Sequence, residues 1–291
     1  MKTSLVILAH PDDESFGPGG TLAKYASEGV AVHYLCGTRG ESGTVDAELL
    51  NGYANTGELR TAELMCAAKE LGLAGVHFLG YRDSGMVGSA DNVHAESLFQ
   101  APLDDVAQRI IDKIDELKPN VILTHDQFGG YGHPDHIKLH LATLRAYELK
   151  WGIRIDVTNW ASIHRHPSIA ITGSHPDAPA LFFPVFPRGL IKFGVRLMPL
   201  FGQDPSKFGR NKDIDLAKIA SWELPMTVKL NTKAFAEAKI RASACHRSQQ
   251  PPSGRGANLF VRIFFRRAQG TEWHSQVYPA GDPKQLSDRL M

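Results

Sequence analysis

The stretch Ser4-Leu5-Val6-Ile7-Leu8-Ala9-His10-Pro11-Asp12-Asp13-Glu14 decides how the chain is read. Its first half is a short apolar run that fits a strand buried on both faces, and its second half sets an imidazole and carboxylates at that strand's end. Gly17-Pro18-Gly19-Gly20 then lets the chain turn tightly into a helix over 21–28, and residues 30–36 read as a second strand. The alternation continues with a helix over 57–73, a strand over 76–79, a helix over 104–118 stopped before Pro119, a strand over 120–125 and a helix over 133–149 that carries Pro134 in its first turn. Strands alternating with helices signal βαβ units, so the predicted class is α/β: a Rossmann-like, mostly parallel sheet with helices on both faces.

Past residue 150 the texture changes. Pro, His, Phe and Arg crowd residues 160–212 with weak periodicity. This predicts an irregular insertion or lid over 160–232, on the substrate side of a single 1–291 domain whose metal-site core is 1–150. Regular pattern resumes over 226–230, 232–244 and 259–265. The segments 181–201 and 260–267 mix aromatics with arginines, which suits a self-packed loop and a two-sided strand, or alternatively a lid, an oligomer interface or a lipid-contacting surface.

Composition narrows the function. Lys+Arg 32 against Asp+Glu 31 leaves a net charge of +1, so no overall field draws nucleic acid. No run reaches the ~18 apolar residues of a membrane span, and MKTSLVILAHPDDE does not read as a signal peptide. Cys36, Cys66 and Cys245 are odd in number and unclustered, which argues against a disulfide scaffold or a thiolate cage and suits a reducing, cytoplasmic setting. The 13 histidines leave imidazole and carboxylate as the donors for any metal. No G-x-x-x-x-G-K follows the first strand, which disfavours nucleotide binding.

In an open parallel sheet, ligands bind at the carboxyl ends of the strands, where His10, Asp12 and Asp13 emerge. Such a donor set suits a divalent cation of borderline hardness, zinc best, with Fe2+ and Co2+ as other fits. Either aspartate could instead cap the next helix. A second cluster, Gly129-Gly130-Tyr131-Gly132-His133-Pro134-Asp135-His136, also follows a strand and opens a helix, so it reaches the same edge. Adjacent Asp12 and Asp13 cannot easily both bind one small ion, which frees one as a base. His133 and His136 differ in depth along the helix, which leaves one to bind metal and one to meet developing charge. This inventory describes metal-assisted hydrolysis.

The AHPDDE and HPDH elements, in that order, resemble the LmbE-like/PIG-L family of zinc-dependent N-deacetylases, which act on N-acetylglucosamine conjugates and related amides. Thr38-Arg39-Gly40-Glu41, Arg60-Thr61-Ala62-Glu63, Leu79 to Gly85 and Lys239 through His246-Arg247-Ser248-Gln249 are similar to further family landmarks. The resemblance implies His10, Asp13 and His136 as zinc ligands and Asp12 as general base. It implies protonated His133 as oxyanion stabiliser and proton donor, with Asp135 holding its ring, and Tyr131 as a carbonyl-polarising group. Arg60 and Asp83 match positions that grip sugar hydroxyls, and His246 is a third candidate for substrate contact.

Plainer readings stand beside these roles. Arg60 can pair with Glu63 on the helix surface, Asp83 can form an Asx-turn before Gly85, and His246 can serve a helix C-terminus. His125 ends a strand beside the site and can support a ligand from behind. His140 reads as a satisfied surface histidine, and His33, His77, His94, His164, His166, His175 and His274 lack partners at ligand spacing. The expected substrate is a small amino-sugar conjugate losing its acetyl group. A larger amide such as a thiol S-conjugate is the near alternative, and a sugar- or metal-binding protein without turnover the distant one. The sequence leaves a homo-oligomer open.

Overall fold

The computed structural model describes residues 1–157, 169–207, 214–222, 224–250, 270–282 and 284–291. The chain runs through β1 (Thr3–Leu8), α1 (Asp13–Phe16), α2 (Gly19–Ser27), β2 (Ala31–Cys36), α3 (Thr56–Leu71), β3 (Gly75–Phe78), α4 (Leu103–Leu117), β4 (Val121–Thr124), α5 (Gly129–Gly132) and α6 (Pro134–Trp151). There follow β5 (Arg154–Val157), β6 (Ile169–Thr172), β7 (Ala180–Val185), α7 (Arg188–Leu197), α8 (Leu216–Ser221), β8 (Val228–Asn231), α9 (Ala236–Cys245) and β9 (Thr271–Tyr278).

The main sheet has the order β3-β2-β1-β4-β7-β9-β8. From β3 to β7 neighbouring strands are parallel, and β9 runs antiparallel to β7 and β8. The apolar run of β1 works on both faces because side chains alternate. Leu5, Ile7 and Ala9 pack in one cluster with Ala107 and Ile110 of α4 and Leu139 and Tyr147 of α6. Val6 and Leu8 pack in the other with Leu22 of α2, Leu64 and Leu71 of α3 and Ala242 of α9. Each buried leucine, isoleucine or valine among them contributes about 1.5–3 kcal/mol by leaving water. The α/β class with helices on both faces is as the sequence predicts.

The chain past residue 150 is more regular than expected. β7, read as part of an irregular stretch, is a central strand between β4 and β9. Both its faces are covered, Leu181 and Phe183 by one cluster and Phe182 by the other, so it shows no polar alternation, and Pro184 near its end disguises it further. Residues 188–197 are α-helical, not loop. The strand expected over 259–265 and the aromatic-basic segment 260–267 lie outside the described residues, as do His164 and His166.

Cys66 of α3 and Cys245 of α9 form a disulfide, with their Cα atoms 5.8 Å apart. Their separation of 179 residues hid the pairing, and the bond removes the support that unclustered cysteines gave to a reducing compartment. Cys36 is free and buried. No helix among the described residues is long and apolar enough to cross a membrane.

The far end of the chain grips the turn after β1. Glu272 accepts from the backbone N–H groups of Gly20 and Thr21 at 2.9 and 2.7 Å, and Lys239 Nζ donates to Glu272 and to the Gly17 carbonyl. Gly20 is needed there, because a Cβ would lie 2.8 Å from Thr232 and 2.9 Å from Glu272. Beside them His274 meets the Thr21 hydroxyl at 2.9 Å.

Burial pushes His274 and His140 down to about 4 from 6.5. The unfolded chain therefore binds more protons than the native one between those values, so stability is full above the ordinary histidine range and falls as pH drops toward 4, by about 3 kcal/mol per histidine at most. Urea unfolding of chelator-treated protein at pH 7, 6, 5 and 4.5 should show this loss. His274→Gln should shallow the slope, and an unchanged slope would remove His274 from the account.

Candidate metal centre

β1 and β4 are neighbours, and the chain leaves them toward different halves of the sheet, so their carboxyl ends flank the fold's natural crevice. Both His/Asp clusters emerge there. After β1 the backbone turns at Asp12, where φ is 126° and ψ −28°. The only other non-glycine residue with positive φ among the described residues is Lys118, at 47°. After β4, Asp126 Oδ1 accepts from the backbone N–H groups of Phe128 and Gly130, which shapes the glycine turn that presents Tyr131 and His133. His133 is the N-cap of α6, and Pro134 supplies the first helical position.

His10, His133, Asp135 and His136 are all buried. His10 Nδ1 lies 3.1 Å from His136 Nε2 and 3.7 Å from Asp13 Oδ2, and His136 Nε2 lies 3.4 Å from Asp13 Oδ2. Donors about 2.0–2.1 Å from a tetrahedral ion stand roughly 3.3–3.4 Å apart, so these three edges fit one small cation.

Overlapping triplets also lie within ligand distance: His10, His133 and His136; Asp13, His125 and His136; and His10, Asp83 and Asp135. Hydrogen-bond accounting separates them. His10 Nε2 faces two carboxylates, Asp135 at 3.3 Å and Asp83 at 3.4 Å, and so carries the proton, leaving a lone pair on Nδ1. His125 Nε2 is 3.0 Å from the Ala9 N–H and spends its lone pair there. His133 Nδ1 accepts the Asp135 N–H, so a neutral His133 ring bears its proton on Nε2 and offers a donor. The remaining donor atoms, His10 Nδ1, His136 Nε2 and the anionic Asp13 Oδ2, which also accepts from the Ala9 and His10 N–H groups, converge.

Charge points the same way. Four carboxylates share the crevice: Asp12 and Asp83 lie 3.0 and 4.0 Å from the Arg60 guanidinium, while Asp83 and Asp135 face His10 and Asp13 faces His136. Burial pushes His10 down, but Asp83, Asp135 and Asp13 outweigh it and raise its affinity for positive charge. Burial favours the neutral form of Asp13, yet His136, His125 and His10 hold its carboxyl well below the usual range. The donor set fits a divalent ion.

Asp12 stands beside this trio. Arg60 Nη2 donates to Asp12 Oδ2 at 3.0 Å and to the Pro11 carbonyl at 2.7 Å, and Arg60 Nη1 donates to the Gly40 carbonyl. Burial raises the Asp12 carboxyl to about 7 against the pull of Arg60. Burial, then His10, push His133 down to about 4, so this environment favours the neutral ring over the protonated one that the family resemblance implies. The Tyr131 ring lies 5.1 Å from His136 and 6.0 Å from His133.

Several expected roles change. Arg60 pairs with Asp12, not with Glu63, which instead accepts from Ser248 N and Oγ. The Asp135 carboxylate does not hold the His133 ring; it takes the Ser84 N–H and hydroxyl and faces His10. Asp83 forms the turn bond to Gly85 and also faces His10. His246 is fully buried, its Nε2 2.7 Å from Glu14 Oε1, which turns it away from any substrate. His140 is satisfied by the His125 carbonyl but is buried, and His33 and His77, without spacing in sequence, are stacked on adjacent strands. Sequence reasoning missed Ser84, Asp126 and the inward role of Glu14. Only the nearness of Glu14 to His10 hinted at it.

Residues 5–147 match the family model described as PIG-L, GlcNAc-PI de-N-acetylase. The chain is similar to the 1D-myo-inositol 2-acetamido-2-deoxy-alpha-D-glucopyranoside deacetylase of Acidothermus cellulolyticus, at 32% identity over 98% of this chain and 93% of the relative. Among solved structures it is similar to the N,N'-diacetylchitobiose deacetylase of Pyrococcus horikoshii, with a TM-score of 0.53 and 20% identity, covering 92% of this chain and 75% of that one. The 4-carboxy-2-hydroxymuconate hydratase of Pseudomonas putida KT2440 is comparable, at 0.51 and 21%, covering 92% and 84%. These structural likenesses concern fold, which a hydratase and a deacetylase here share.

The geometry makes a prediction about metal affinity. Asp135→Asn should weaken zinc binding by about 10–100-fold in chelator competition, the usual cost of losing a carboxylate behind a ligating histidine, and His10→Ala should abolish it. Wild-type affinity in Asp135→Asn would mean that the carboxylate does not orient His10.

Proposed function

The chain belongs to the PIG-L family, and from that membership we propose that it hydrolyses the acetamide of an N-acetylglucosamine-type conjugate to acetate and a free amine, with zinc as its cofactor. The observation that carries this reading is Asp12: a carboxylate in a rarely adopted backbone conformation, raised to about 7 and fixed by Arg60, next in sequence to Asp13, whose Oδ2 converges with His10 Nδ1 and His136 Nε2. A protein that only bound sugar or metal has no use for such a base. Support for the substrate class comes from the 32% identical inositol-linked amino-sugar deacetylase, which the chain matches over nearly all of its length.

In this reading His10, Asp13 and His136 hold the ion. When bound, the ion would supply Lewis acidity toward the amide carbonyl and would make a water molecule easier to deprotonate. Asp12 takes the proton from the attacking water, and its carboxyl near neutrality suits both accepting that proton and passing it on to the amine nitrogen. His133 offers Nε2–H to the carbonyl oxygen as negative charge develops there, and Tyr131 closes the same side. Arg60 keeps the Asp12 carboxylate turned toward the crevice and compensates its charge. A cavity of about 770 Å³ is lined by Arg39, Glu41, Asn55, Thr61 and Arg82 among others, and Glu41 links it to the centre by accepting the Asp83 N–H. Its side chains suit the hydroxyl groups of the rest of the conjugate.

Purified protein should release acetate from N-acetylglucosaminyl inositol, stop on chelation and recover with zinc. Asp12→Ala should retain zinc and lose about 10²–10⁴-fold in kcat, the range for general-base catalysis. Normal turnover in that variant would refute the assignment of the base, and no acetate from any N-acetylglucosamine conjugate at any metal loading would refute the reaction.

A further inference from the structure

Asp12 is held by a second set of contacts besides Arg60. Its backbone N–H, in the peptide that adopts the unusual φ of 126°, donates to Glu14 Oε2 at 2.9 Å. The other oxygen of Glu14 accepts from the Ser15 hydroxyl and from His246 Nε2 at 2.7 Å. Glu14 and His246 are both wholly buried, and His246 Nδ1 has no hydrogen-bond partner among the described residues. A buried imidazole costs stability that an apolar side chain of similar size would not, and among the described residues its side-chain bond is to Glu14, which is where its use lies. The two residues are 232 apart in sequence.

His246 is itself fixed from several sides. It directly follows Cys245, which is bonded to Cys66 of α3, and two residues later Ser248 gives its N–H and hydroxyl to Glu63, also of α3. The helix that aims Arg60 at the Asp12 carboxylate therefore also anchors the turn that aims His246 at Glu14. Non-glycine residues rarely occupy a backbone conformation like that of Asp12 unless surrounding groups enforce it, and such residues cluster where side chains must be aimed.

We propose that His246 is a positioning residue which, through Glu14, locks the Asp12 peptide in the conformation that directs its carboxylate at the attacking water. The inference rests on the assignment of Asp12 as base. It sets His246 apart from the substrate, and it gives Glu14 two tasks that need both carboxylate oxygens as acceptors. A displacement of Asp12 by about 1 Å is enough to cost on the order of 10²-fold in rate.

The test compares His246→Leu, His246→Gln, Glu14→Gln and the Glu14→Gln/His246→Leu double variant, each zinc-loaded, by kcat and KM for acetate release, bound zinc and thermal midpoint. His246→Leu should lower kcat by about 10²-fold with KM and zinc content near wild type. His246→Gln, whose amide N–H can reach Glu14, should recover most of that loss. Glu14→Gln should resemble His246→Leu, and the double variant should be little worse than either, because both break one chain of contacts. If His246→Leu does not fold, Glu14→Gln and the glutamine rescue decide by the same kcat criterion. Full kcat in folded His246→Leu or Glu14→Gln, or equal losses with leucine and glutamine accompanied by loss of zinc, overturns the positioning role. Wild-type protein that releases no acetate overturns the hydrolase reading along with it, whereas an active wild type with unaffected variants overturns the positioning role alone.

Discussion

Parallel pairing of β1 with β4, Ser4 opposite Val121 and Ile7 opposite Thr124, brings together two loops that begin more than a hundred residues apart in sequence. Hydrogen bonding fixes the lateral distance between the two strand ends to about 4.8 Å. Side chains emerging from both ends then meet without further adjustment, and β1 cannot slip against its neighbour without moving His10 away from His136. The burial of β1 on both faces makes such slippage costly, since a one-residue shift would exchange every core contact it makes. The stiffness of the sheet is thus what gives a three-donor site its dimensions.

Negative charge at the crevice is the second constraint. Carboxylates are assembled there at a desolvation cost, and the protein offsets it with Arg60, with backbone N–H groups and with imidazoles. Asp13 shows the pattern, since one oxygen accepts from the N–H groups of both Ala9 and His10 while it faces the imidazoles. The donor atoms of His10, Asp13 and His136 converge at spacings that would suit one small cation. The C-terminal third takes part as well. Lys239, His246, Ser248 and Glu272 reach back to Gly17, Glu14, Glu63 and the start of α2, so the part of the chain beyond the family match helps to build the site that the match defines.

The fold and the members of the site were legible in sequence because strand periodicity and strand-end chemistry are local. His10 to Glu14 and Tyr131 to His136 announce themselves by following apolar runs and opening helices. Side-chain direction is not local. Asp135 could be placed near His133 by spacing, but its carboxylate turns to Ser84 and His10, and only its backbone N–H serves His133. Arg60 has a plausible partner three residues away in Glu63, yet the charge that demands compensation is Asp12, which is 48 residues distant. β7 was obscured because a strand covered on both faces loses the alternation that identifies strands, and Pro184 mimics a loop. The disulfide was obscured because nothing near Cys66 or Cys245 encodes their approach.

That disulfide closes a covalent ring over the 179 positions that separate its cysteines, and the ring includes the second His/Asp cluster but not the first. Backbone cleavage anywhere inside it yields a nicked molecule whose two fragments remain one covalent species until a thiol separates them. The fragment carrying His10 and Arg60 and the fragment carrying His246 would then stay tethered at α3 and α9, close to where they cooperate. Integrity of the chain and integrity of the site are therefore separable in this protein, and a gel run without reductant would report one while concealing the other.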